Sequence, residues 1–141
     1  MAYDSELKEK VIPLVKEAPR LLEEGFRQRD PVCMAAEIRL KDSGITKDHP
    51  NYAEETAAYL VEECSKQRNT LPKLQRWYKQ MRSTVSVWLV EHGFKDSKTL
   101  TTDDFVTIAK ANIKALAEQK ELTASQTKNE KILFSLNKQH R

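Results

Sequence analysis

The sequence predicts an all-α fold of about six helices packed as an antiparallel bundle. Three observations predict it. Apolar residues recur every three or four positions along most of the chain, and almost nothing alternates as a strand would. Only three glycines punctuate the 141 residues, Gly25, Gly44 and Gly93, and at least two stand where an amphipathic pattern stops. Glycine commonly ends a helix in a left-handed turn and is costly inside one. Helix-start signals, Asp30-Pro31 and Thr101-Thr102-Asp103-Asp104, precede two of the periodic stretches.

The first helix is expected from about Ser5 to Arg27. Leu7, Val11, Leu14, Val15, Ala18, Leu21, Leu22 and Phe26 share one face, and the stripe keeps its phase through Pro13 and Pro19. Proline inside a helix removes an amide and clashes with the preceding turn, so a kink or a true start at Pro13 is expected. The second helix, about 31–42, begins where Asp30 can accept orphan amide hydrogens. Val32, Cys33, Met34, Ala35, Ala36, Ile38 and Leu40 make it apolar nearly all round, which predicts the most buried helix, and Gly44 ends it.

A third helix runs from near Pro50 to about Gln67, with Ala53, Ala57, Leu60, Val61 and Cys64 inward. Glu54, Glu55, Glu62 and Glu63 form what reads as a solvated acidic face. The fourth helix starts at Pro72 and ends before Gly93. Leu74, Trp77, Tyr78, Met81, Val85, Trp88 and Leu89 lie on one side, and Lys73, Arg76, Lys79 and Arg82 on the other. A fifth helix is capped by Thr101 or Thr102, with Phe105, Ile108, Ala109, Ile113 and Leu116 inward. A sixth, about 125–138, carries Ile132, Leu133 and Leu136. The pattern suits one domain over residues 1–141, either a six-helix bundle or two three-helix units divided near residue 70.

Composition narrows the function. Apolar residues make up 39% and charged residues 32%, and 24 basic and 21 acidic residues mix to a net charge of +3. A dedicated duplex-binding protein carries a stronger basic excess. No apolar run is long enough to span a membrane, and the polar start MAYDSELKEK lacks a signal-peptide core. The expected setting is cytoplasmic. Cys33 and Cys64 form no CxxC pair, and three scattered histidines give no zinc spacing. No glycine-rich phosphate loop and no nucleophile–base arrangement stands out, so neither enzyme activity nor a metal or cofactor is expected. His92, just before Gly93, suits the end of a helix dipole.

Two binding modes remain, each beside a plain structural reading. In the first, an amphipathic partner helix lies in an inter-helix groove. Ala57, Leu60, Val61 and Cys64 would contact it, with Ala53 and Ala58 making room and Glu54 and Glu62 at the rim. The same residues would serve an ordinary core. In the second, Lys73, Arg76, Lys79 and Arg82 contact nucleic-acid phosphates. Helical phase separates those cations from the aromatics, as in a solvated face over a core. The oligomeric state is open, since the apolar face of the fourth helix suits a core or a dimer seam.

Residues 12–71 carry IPLVKEAPRLLEE, then RDPV, then RL before SGI. This order resembles the amino-terminal domain of Vta-type cofactors of the ESCRT sorting ATPase. There a first helix leads into a basic-acidic-Pro-hydrophobic start, an apolar second helix with Arg-Leu, and a glycine before the third helix. The matching positions are Arg29, Asp30, Pro31, Val32, Arg39, Leu40 and Gly44. The resemblance implies two three-helix units of the microtubule-interacting-and-transport kind, which hold helical tails of ESCRT-III subunits. It covers the partner-binding half of that family and not its ATPase-binding part.

Overall fold

The computed structural model describes the backbone of residues 2–93 and 100–139, and the side chains of residue 7 and residues 9–93 and 100–120. Among the described residues five helices follow one another: α1 (Ala2–Arg27), α2 (Pro31–Asp42), α3 (Tyr52–Lys66), α4 (Pro72–Glu91) and α5 (Thr102–Gln139). No strand occurs among the described residues. The segments expected as fifth and sixth helices are one continuous helix, about 57 Å long at 1.5 Å per residue. Thr123, Ala124 and Ser125 offer no glycine or proline to stop it. The side chains of Ile132, Leu133 and Leu136 lie outside the described ones.

Helix α1 passes through both prolines without a break, so no helix start lies at Pro13. Each proline forfeits one amide hydrogen bond. Leu7, Val11, Leu14, Val15, Ala18, Leu21 and Leu22 are all buried, and their packing outweighs that loss. Pro19 leaves the Val15 carbonyl without its helical donor. The neighbouring Leu14 carbonyl accepts a 2.9 Å hydrogen bond from Nε1 of the buried Trp77, tying α1 to α4. Phe26 departs from the expected stripe. It is 41% exposed in the last turn, with Lys41 Nζ 6.0 Å from its ring centre.

The three glycines have two different jobs. Gly44 (φ 71°) and Gly93 (φ 79°) follow α2 and α4 in the left-handed conformation. At Gly44 the Ile45 amide bonds the Leu40 carbonyl at 2.9 Å and the Gly44 amide bonds the Lys41 carbonyl at 3.0 Å, a Schellman closure. Gly25 lies inside α1, where a β-carbon would collide with Cys33 Sγ, so its smallness lets α1 and α2 approach. α1 closes one turn later by the same Schellman pattern, but with Arg29 (φ 57°) at the position glycine usually takes.

Asp30 holds the next joint. Its carboxylate accepts from the Cys33 amide at 3.2 Å, as expected for a helix cap. It also accepts from the Leu71 amide at 3.0 Å and the Thr70 hydroxyl at 2.8 Å, so one buried carboxylate caps α2 and pins the entry to α4. His92 closes α4 through Nδ1 on the Trp88 carbonyl at 2.9 Å, its ring stacked on Trp88. Thr101 Oγ1 accepts from the Asp104 amide at 3.0 Å and starts α5.

The most buried helix is α3, not α2. α2 packs against α1 and α3, which leaves Ile38 57% exposed and Met34 and Ala35 half-buried. α3 packs against all four other helices. Its Thr56, Ala57, Leu60 and Val61 are fully buried, and Lys66 is its only exposed residue. A single core cluster takes side chains from all five helices and runs across residue 70 without a break. No described helix is long and apolar enough to cross a membrane.

Candidate functional site

Ala57, Leu60 and Val61 do not line a surface, and Cys64 reaches one only at its edge, in the wall of a cleft between α3 and α4. The first three have no exposure and Cys64 has 7%. They share one face of α3, and the surrounding helices cover that face. A partner helix cannot reach them without displacing a helix of the bundle. The ordinary-core reading of this stripe is the one the geometry meets.

The acidic side of α3 is not a solvated face either. Glu62 bridges Arg39 of α2 and Lys110 of α5. Arg39 also reaches Glu63 at 3.4 Å, and its guanidinium carbon lies 4.3 Å from the Tyr59 ring centre. Glu54, 5% exposed, pairs through Oε1 with Lys120 Nζ of α5 at 2.8 Å. Lys66 of α3 reaches Glu63 at 3.7 Å by the local i,i+3 spacing, but Arg39, Lys110 and Lys120 come from α2 and α5, and no spacing within α3 announces them.

An open cleft does exist one turn away. It encloses ≈ 660 Å³ between α1, α3 and α5. Ile12, Val15, Ala53 and Leu116 supply its apolar surface, and Lys16, Glu54, Gln119 and Lys120 its polar edge. Glu54 Oε2 lies buried at this wall with no hydrogen-bond partner among the described residues. Of the groove residues the sequence suggested, Ala53 and Glu54 are here. Ile12, Val15, Lys16, Leu116, Gln119 and Lys120 were not foreseen, because three separate helices bring them together. Ile12 carries a faint signal: it widens the apolar stripe of α1 by one position.

The four cations of α4 do not act as one stripe. Lys73 Nζ bonds Glu24 at 3.0 Å, and this pairing holds the Glu24 carboxyl below the usual range. Arg82 turns to the start of α5, 3.4 Å from both the Leu100 carbonyl and Thr102 Oγ1. Arg76 and Lys79 stay exposed and make no ion pair with the described residues. The groove beside Lys73 and Arg76 also carries Glu17 and Glu24 of α1, which weaken its pull on phosphate.

The cysteines are free and buried. Burial, and then the Asp30 carboxylate, push both thiols up to about 12. They stay protonated at neutral pH, and a thiol is a far weaker nucleophile or metal ligand than a thiolate. No group of His, Cys, Asp and Glu among the described residues is placed to hold a metal ion. No family model, no curated protein and no solved structure matches the chain.

Proposed function

We propose that the protein is a non-enzymatic, cytoplasmic interaction domain that holds an amphipathic helix of a protein partner across the α1–α3–α5 cleft. The observation that carries this reading is the cleft itself, an apolar floor open to the surface and bounded by charge. Apolar residues of the partner spaced at three and four positions would sit over Ile12, Val15, Ala53 and Leu116. Lys16 and Lys120 favour acidic residues beside that stripe. The ESCRT-type resemblance, over residues 12–71, takes in α1 from Ile12 onward with α2 and α3, so it includes residues of two of the three cleft walls, and helical tails of ESCRT-III subunits are the partners to test first.

The test is affinity capture from native lysate, with and without nuclease, comparing the wild-type chain with Ala53→Phe and Lys16→Glu. Ala53→Phe fills the cleft, and Lys16→Glu reverses its rim on an exposed residue. Protein partners that survive nuclease and are lost with both variants, while circular dichroism stays unchanged, support the reading. Capture that both folded variants leave intact sinks it. Partners that vanish with nuclease favour Arg76 and Lys79 instead.

A further inference from the structure

We propose that a second cleft, at the corner where α3 passes into α4, binds a small soluble phosphate ester carrying two or more phosphoryl groups. The cleft encloses ≈ 540 Å³, the size of a small-molecule site, and no carboxylate lines it. Arg68, Lys79 and Arg82 do. Three other clefts that carry two or more cations each also carry a carboxylate: Glu17 and Glu24 stand beside Arg20, Lys73 and Arg76, Glu54 beside Lys16 and Lys120, and Glu37 beside Lys41 and Lys47. Arg68 and Lys79 are exposed and make no ion pair with the described residues. Arg82 meets neutral groups, the Leu100 carbonyl, the Thr102 and Tyr78 hydroxyls and the Phe105 ring, and makes no ion pair with the described residues. A carboxylate does sit behind the wall, Asp30, but two backbone amides and the Thr70 hydroxyl already occupy it.

The wall is also held in place. Gln75 Nε2 bonds the Arg68 carbonyl at 3.1 Å and the Thr70 carbonyl at 3.0 Å, which fixes the linker that carries Arg68. The Tyr78 ring packs edge-on against Phe105, with centres 5.4 Å apart. Preformed walls reduce the ordering cost of binding. Three cations converging on one cleft suit a compact anion of several charges. An extended nucleic-acid strand would instead follow the row through Arg76 and Lys73, which lie outside this cleft.

Pyrophosphate is the probe, titrated by calorimetry at low ionic strength against the wild-type chain and against Arg68→Ala, Lys79→Ala and Arg76→Ala. All three replaced residues are exposed, and thermal melts check that the variants fold. The expected result is saturable binding, weakened about tenfold by Arg68→Ala and by Lys79→Ala and unchanged by Arg76→Ala, as loss of one charge-assisted contact implies. Absence of pyrophosphate binding overturns the proposal. So does a loss in Arg76→Ala equal to that in Arg68→Ala, which would mark diffuse surface charge. Because no protein partner enters this titration, its outcome is independent of the α1–α3–α5 cleft.

Discussion

Helix α3 carries Glu54, Glu55, Glu62 and Glu63, and α4 carries Lys73, Arg76, Lys79 and Arg82. Both patterns look like a charged outer face above an apolar inner one. In α3 the side chains of Glu54, Glu62 and Glu63 are only 6%, 14% and 8% exposed, and bases from α2 and α5 meet them. In α4 Lys73, Arg76 and Lys79 remain in water. The difference is the number of neighbours. α3 sits among four helices, so even its outer face is covered, and ionised carboxylates there need partners to offset lost hydration. α4 packs by one side only, and its far side is left to solvent. A charged face therefore marks a surface only on a helix that is itself peripheral.

This contrast can be broken most sharply at Leu60. An aspartate there would place a charge where exposure is zero, at a cost of more than about 4 kcal/mol. That is a large share of the roughly 5–15 kcal/mol that holds a typical domain together. Leu60→Asp should therefore lose its helical circular dichroism at room temperature. A folded Leu60→Asp that merely lost a partner would show that α3 is a surface helix after all.

Glu62→Gln removes the carboxylate that Arg39 and Lys110 share. It should cost about 1–3 kcal/mol in urea unfolding, because the pair is mostly covered. Lys73→Ala, which breaks the more open Lys73–Glu24 pair of α4, should cost less than about 1 kcal/mol. Equal losses would erase the distinction between the two helices.

The thiols probe the same interior by pH. Cys64 of α3 and Cys33 of α2 have folded values of about 12, above the ordinary 9.0. A raised acid favours its protonated form in the fold. Their contribution to stability is thus complete below pH 9 and declines as pH rises from 9 towards 12, where the unfolded chain sheds its protons first. Two measurements check this. Thiol labelling at pH 8 should be far slower in the native protein than in urea, and the urea midpoint should drop between pH 8 and pH 10.5. Prompt labelling of Cys64 in native buffer would contradict its burial. The smallest effect belongs to the open face of α4. Arg76→Ala and Lys79→Ala should each change stability by no more than about 0.5 kcal/mol.

Much of the fold was legible residue by residue. The inner stripe of α4 is buried as its phase predicts, with Tyr78 at the half-buried edge. Asp30 caps α2, Thr101 caps α5, and Gly44 and Gly93 follow helix ends. What misled was local reasoning about depth. α2 has the more apolar sequence but touches fewer helices than α3. Arg29 ends α1 in a conformation that announces itself only when glycine supplies it. Candidate sites were the least legible. The apolar cleft needs Val15, Ala53 and Leu116 from three helices, and the basic cleft needs Arg68 from a linker beside Lys79 and Arg82.

By itself the sequence determined the class of fold, most helix limits and which stripe of each helix turns inward. Those follow from 3.6-residue periodicity and from the chemistry of caps, which act within a few residues. Tertiary structure decided which helix lies in the middle, that the carboxylates of α3 are paired, that Asp30 serves two helices, and where open clefts remain. Each depends on side chains brought together from separate elements; the carboxylate pairs between helices alone join positions from 24 apart, Arg39–Glu63, to 66 apart, Lys120–Glu54. No local pattern specifies such a meeting. It is settled only when every apolar stripe has found its neighbour.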